Sequence, residues 1–266
     1  MNTRRVAGSG LALLAAGTLA LTACSTNSSL SSHSGTVAAS SPSPTLLAPK
    51  DAVLASLKVL TETTYKYTLS SDGLDGTGAA DPVAKKASMS VKGDKEGQRV
   101  SLDFILVGAN MWIKMDLGAA ANKTIGIPNK FMHIDQAKLK DKSAFGFGTD
   151  GTDPAESVKL LKGLVEVQRV DAQHYTATLD LTQTTASSVD KEKLDKLGDK
   201  AKAVPATITL DDQGRLSAVT IDLSAVDPSA TIKVTYSDFG APLTINPPAK
   251  SNTVEAPKNV YNMFNS

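Results

Sequence analysis

The sequence predicts an α+β domain built on a large antiparallel sheet. Three observations carry this. Runs of period-two alternation recur between residues 65 and 236. Turn residues separate them at hairpin distances. The few stretches of helical period do not alternate with the strands, as a parallel β-α-β fold requires. Of 266 residues, 41% are hydrophobic and 21% charged, the balance of a foldable soluble domain.

The first element is not part of that domain. Arg4 and Arg5 precede an apolar run from Leu11 to Ala20, too short to span a bilayer and typical of an export signal. Leu21-Thr22-Ala23-Cys24 follows and resembles the bacterial lipobox. That resemblance implies cleavage before Cys24, a diacylglyceryl group on its thiol and an acylated amino terminus. Two or three acyl chains anchor stably, at ~0.8 kcal/mol per buried methylene. Twin arginines without the apolar residues usual after them favour the general export route. Residues 25–48 are rich in serine, carry two prolines before Pro49 and hold no charge. Such a stretch cannot bury a core and is expected to be a flexible tether. The expected boundaries are therefore 1–23 signal peptide, 24–48 acylated cysteine and tether, 49–247 folded domain, and 248–266 polar tail.

The domain opens with an expected helix. Pro49 starts it, Asp51 suits its first turn, and Val53, Leu57 and Leu60 recur at helical spacing. Tyr65, Tyr67 and Leu69 then alternate with polar residues. Met89 and Val91 follow after a stretch read as a Gly-Asp-rich turn. Val100, Leu102, Phe104 and Leu106 form the clearest alternating run. Met111, Ile113 and Met115 share a face, with Trp112 on the other. Phe131–Ile134 is the next short strand. Residues 135–152 read as a polar, glycine-rich break.

Asp153, Pro154 and Glu156 resemble a capping box at N-cap, first and third helical positions. They lead an expected helix bearing Val158, Leu160, Leu161 and Leu164. Strands are expected at 164–170 and 175–181. A charged helix is expected over 190–202. Strands ending at Leu210 and starting at Leu216 flank the hairpin turn Asp211-Asp212-Gln213-Gly214. Ile232, Val234 and Tyr236 make the last strand, and the chain from Pro247 reads as extended or frayed. The inventory is about ten strands and three helices.

Composition excludes several functions. Lys and Arg total 28 against 27 acids; without Arg4 and Arg5 the balance is 26 against 27. That near-neutrality argues against nucleic acid. One cysteine excludes an internal disulfide framework or a cysteine-based zinc site. The three histidines, His33, His133 and His174, have no metal-ligand spacing, and no cofactor or metal is expected. Asp211 and Asp212 are neighbours in a turn and point apart. Gly146–Gly151 matches G-x-G-x-x-G literally, but without a preceding strand it reads as a loop with Phe145 and Phe147 as apolar handles. The lysines of the 190–202 helix are interleaved with acids and form a solvated face. No reactive constellation emerges, so no enzyme is expected. An apolar surplus on one strand face remains. It either fills a core or lines a cavity for acyl chains.

The order of these elements resembles the LppX–LprG family of mycobacterial envelope lipoproteins, with their LolA/LolB-like fold. Its most specific stretches are Val204–Leu216, a proline-led strand with an Asp-x-x-Gly turn, and Ile232–Leu243, a closing strand with an aromatic-Gly-x-Pro turn. The resemblance implies a curved half-barrel sheet with helices on its concave side and a cavity for acylated lipids or lipoglycans. It implies a monomer, anchored on the outer face of the cell membrane through Cys24, that carries or presents such lipids, with a membrane transporter as partner. The expected lining residues are Leu102, Phe104, Leu106, Met111, Ile113, Met115, Val158, Leu161 and Leu164. The alternative is a filled-core envelope lipoprotein that acts as scaffold or sensor through its surface.

Overall fold

Strand-forming segments dominate the chain and pair into one sheet. The computed structural model describes residues 46–71, 73–95, 97–140, 153–184, 186, 191–225 and 230–265. The signal peptide, Cys24, most of the tether, His33 and Gly146–Gly151 lie outside them. Residues 46–266 form one compact unit.

Two short helices open it, α1 (Pro49–Ser56) and α2 (Val59–Glu62). A first meander follows: β1 (Tyr65–Ser71), β2 (Leu74–Asp81), β3 (Lys86–Lys95), β4 (Gln98–Val107), β5 (Asn110–Asp116), α3 (Ala119–Ile125) and β6 (Phe131–Ile134). After the connection comes α4 (Ser157–Leu160). The second meander is β7 (Leu164–Arg169), β8 (His174–Leu179), α5 (Lys191–Leu197), β9 (Val204–Leu210), β10 (Leu216–Asp222) and β11 (Thr231–Ser237). β12 (Thr253–Glu255) and α6 (Lys258–Phe264) close the chain.

The twelve strands are ordered β12-β6-β5-β4-β3-β2-β1-β11-β10-β9-β8-β7. Every neighbouring pair is antiparallel except β12 with β6. β1 and β11 weld the two meanders, from Lys66 opposite Ser237 to Ser71 opposite Ile232. The chain therefore leaves the first meander near one edge of the sheet and re-enters at the other edge. In between, α4 meets the middle of the sheet, where the Tyr236 hydroxyl and Ser157 Oγ are 2.6 Å apart.

Register fixes the two faces, because cross-strand partners point the same way. Tyr67, Gly78, Met89, Phe104, Ile113 and Met132 form one row across β1 to β6. These residues belong to the apolar inner face, which the helices cover; α1 lies over β7 and β9. Trp112 and Ile105 pair on the opposite, outer face.

Four expectations need correction. The stretch read as a Gly-Asp-rich turn contains a full strand, β2, whose inward positions include Gly76, Gly78 and Ala80. Small residues fit there because the Tyr67 ring lies across Gly78, where any added Cβ would overlap Tyr67 Cζ and Oη and the Ser88 carbonyl. The capping box does not form. Helix α4 starts at Ser157, and Glu156 is its N-cap in a left-handed conformation, φ 56°. Asp153 caps from farther back, accepting from the amides of Ser157 at 3.2 Å and Val158 at 2.7 Å. Helix α3, which buries no residue, forms where no helical period announces it. Finally, the segment read as frayed is folded. Val260 and Tyr261 are buried, and the Tyr261 hydroxyl accepts from the Asp135 amide at 2.8 Å.

Candidate functional site

The nine residues singled out from periodicity come from two regions. Six lie on one face of the β4–β5 hairpin as three cross-strand pairs: Leu102 with Met115, Phe104 with Ile113, and Leu106 with Met111. Leu161 and Leu164 are buried where the connection enters β7, and Val158 is half-buried on α4. Alternation identified the inward face because a period of two assigns each strand's side chains to opposite sides.

Burial along this face is graded. On β4, Val100 and Leu102 are half-buried while Phe104 and Leu106 are fully buried. β1 repeats the order from Leu69 to Tyr67 and Tyr65. β3 repeats it from Val91 to Met89 and Ala87. Leu69, Val91 and Leu102 thus make an apolar lip on the side of the β3–β4 hairpin, in front of the buried Tyr67, Met89 and Phe104. A side chain on the wall of a void that admits water keeps some accessible surface there. Phe104, Ile113 and Leu161 keep none.

The filling near the lip is adaptable. Four of the six methionines point inward: Met115 in the row of the lip, Met89 and Met132 in the next row, and Met111 in the row beyond. Methionine is unbranched and polarizable and repacks more readily than Val or Ile. Periodicity marked the face but not this clustering, which requires the register.

A polar group lies within the apolar interior at α4. Asp153, Glu156 and Ser157 are all buried, and Glu156 pairs with Lys159 at 2.8 Å. Burial pushes the Asp153 carboxyl from 3.8 up to about 6. The two amides that it accepts from and Lys159 oppose the rise, whereas Glu156 adds to it. Burial, and then the Asp153 charge, raises the phenols of Tyr67 and Tyr236. The arrangement anchors the connection to the sheet; among these residues, no nucleophile is paired with a base.

The outer face carries a groove of about 550 Å³ lined by Lys66, Thr77, Ser90, Asp103, Ile105 and Phe131, among others. Register explains it: Thr77, Ser90 and Asp103 lie in one cross-strand row that continues through Lys114 to the strand end at Phe131. Gly78, Ser88, Met89 and Phe104 also line it, so one of the nine expected residues, Phe104, borders this groove.

The histidines and paired aspartates serve local structure. His133 Nδ1 meets the Glu255 carboxylate at 3.1 Å, joining β6 to β12. His174 meets Asp171 at 2.8 Å in the β7–β8 turn. Asp211 binds Arg215, while Asp212 accepts from Gln173. Among the described residues, no cluster of His, Cys, Asp or Glu could hold a metal, and no helix is long and apolar enough to cross a membrane.

No protein-family model and no curated protein matches the chain. Among solved structures, a hypothetical protein of Chlamydia trachomatis is similar at a TM-score of 0.30 and 10% identity. The likeness covers 77% of this chain and 98% of that one. A likeness at that level carries no argument about fold family or function.

Proposed function

We propose that the protein is a lipid-anchored envelope lipoprotein that takes acyl chains of a lipid or lipoglycan between the apolar sheet face and its helices. In this reading the sheet is a LolA/LolB-like half-barrel with the helices on its concave side. Cys24 carries the anchor on the outer face of the cell membrane, and the lipid is carried or presented there. The observation supporting it is the graded apolar face: a lip at Leu69, Val91 and Leu102, backed by methionines that can repack around a chain. A chain that reaches the buried Phe104 and Ile113 must displace side chains, and transfer from water contributes ~25 cal/mol per Å² of apolar area buried. No covalent step is involved. The test is native mass spectrometry of residues 24–266, with Cys24→Ser, purified from a lipid-rich actinobacterial host. A stoichiometric acylated species, lost on Leu102→Asp, supports carriage. Folded protein that stays lipid-free, and takes up none from mixed vesicles, overturns it.

One observation favours a second reading. Phe104, Ile113 and Leu161 are packed without accessible surface, as in an ordinary filled core. On that reading the protein is a scaffold or sensor acting through its surface, and the outer groove is the part that meets a partner.

A further inference from the structure

Among the described residues, the large hydrophobic side chains that remain exposed are concentrated at one corner. Leu46, Leu47, Leu54, Val165 and Val170 are exposed, Val165 at 57% and Val170 at 63%; Val83, in the β2–β3 turn, stands apart. Two hydrogen bonds bring the corner together. The Arg169 guanidinium donates to the Leu47 carbonyl at 3.1 Å, which sets Leu47 against the end of β7. Lys50 Nζ donates to the Leu164 carbonyl at 2.6 Å, which sets that face of α1 beside Val165. Leu54 lies one turn beyond Lys50 on the same side of α1. Leu46 is where the chain from Cys24 enters the described structure.

We propose that this α1–β7 corner is a membrane-docking surface that inserts aliphatic side chains into the bilayer interface. The choice of occupant rests on the lipid-anchored reading above, because the tether delivers the corner to the bilayer first. Lys50, Lys162 and Arg169 are offset by Asp51, Glu166 and Asp171. Docking therefore depends on apolar insertion and not on anionic lipid. A protein strand adding to the β7 edge is the rival occupant. The edge is built against it: a bulge lies between Leu164 and Glu166, and Glu166 and Arg169 flank it with charge.

Vesicle flotation tests the proposal with unacylated residues 24–266 carrying Cys24→Ser. The expected result is flotation with phosphatidylcholine vesicles, unchanged by phosphatidylglycerol or by raising the salt tenfold. Combined Leu47→Ser, Val165→Ser and Val170→Ser lowers the bound fraction at least fivefold. Val83→Ser leaves it unchanged. As a second readout that does not depend on the triple variant folding, Leu47→Trp gains a blue-shifted emission on adding vesicles. Absence of wild-type flotation overturns the proposal, as does equal loss with Val83→Ser. So does a concentration-dependent oligomer that the triple variant abolishes, the signature of strand pairing. Bound lipid is read separately by mass spectrometry, so an empty interior leaves this result standing, and failure to float leaves the interior reading untouched.

Discussion

Replacing Asp153 with asparagine tests how the connection is fixed to the sheet. The carboxyl is held beneath β1 and β11 with Tyr67, Tyr236, Glu156 and Lys159 around it, and its pKa rises from 3.8 to about 6. At 1.36 kcal/mol per pH unit this corresponds to about 3 kcal/mol. The folded protein holds the proton more tightly than the unfolded chain. Stability from this group is therefore complete below pH 4 and is lost as pH rises through 6. Asparagine removes the titration, but its single carbonyl oxygen cannot reproduce two carboxylate acceptors, so an amide of Ser157 or Val158 loses its partner at a cost of about 1–3 kcal/mol. These effects nearly cancel at neutral pH, so absolute stability is a poor readout. The difference between wild type and Asp153→Asn is the useful quantity, because the other carboxylates largely cancel in it. Urea unfolding at pH 4, 5, 6 and 7 is expected to show wild type losing about 3 kcal/mol relative to the variant across that range. A difference that stays flat within about 0.5 kcal/mol would mean that Asp153 is hydrated and that the connection is not seated on the sheet as described.

Three further outcomes are expected. Phe104→Ala separates the two functional readings: in a filled core it costs about 3–5 kcal/mol in chemical unfolding, whereas a loss under 1.5 kcal/mol indicates that Phe104 borders adaptable space. Gly78→Ala drives a methyl group into the Tyr67 ring and the Ser88 carbonyl, so it lowers the melting temperature by an amount equivalent to more than about 2 kcal/mol; an unchanged melt would sink the account of β2. Tyr261→Phe removes the acceptor for the Asp135 amide and costs about 1–2 kcal/mol, and hydrogen exchange at Asp135 is expected to quicken. Unchanged exchange would show that the C-terminal segment does not hold that amide.

What the sequence disclosed follows from which interactions are local. Val100 to Leu106 and Met111 to Met115 carry an apolar residue at every second position, and a strand's two faces are set by that period, so the inward positions and the outward Trp112 were readable. β2 was not readable, because Gly76 and Gly78 are poor strand formers. They are in a strand because β1 and β3 pair on either side and the Tyr67 ring needs their lack of a side chain. α6 was missed for a related reason. Its buried contribution is chiefly Val260 and Tyr261, too few positions for a period to show. Asp153-Pro154 signalled a helix start correctly in kind but early in place. The Tyr236–Ser157 contact and Asp153's bonds to the two amides place the start at Ser157, and neither can be deduced from spacing. The outer groove was invisible because its row of Thr77, Ser90 and Asp103 exists only once the register is known.

Whether the interior takes up a chain is decided by what moves most cheaply. The helices over the inner face are four to eight residues long, so their hold depends on side-chain packing more than on their own stability. At the lip and behind it, Met115 and Met89 can change rotamer without moving the backbone. The Tyr67 hydroxyl is held by one long bond, 3.2 Å to the Ser88 carbonyl, over a strand that carries glycine. A ring swung away from Gly78 opens space next to Met89 and Val91, leading inward from the lip. The opposite end offers nothing comparable: Val219, Ile221, Ile232 and Val234 are β-branched, have few rotamers, and lie on paired central strands. If acyl chains enter, they enter through the β1–β4 end, and Tyr67→Leu is expected to change lipid uptake while Val219→Leu does not. Equal effects of the two substitutions would place the opening elsewhere or show that the core is simply filled.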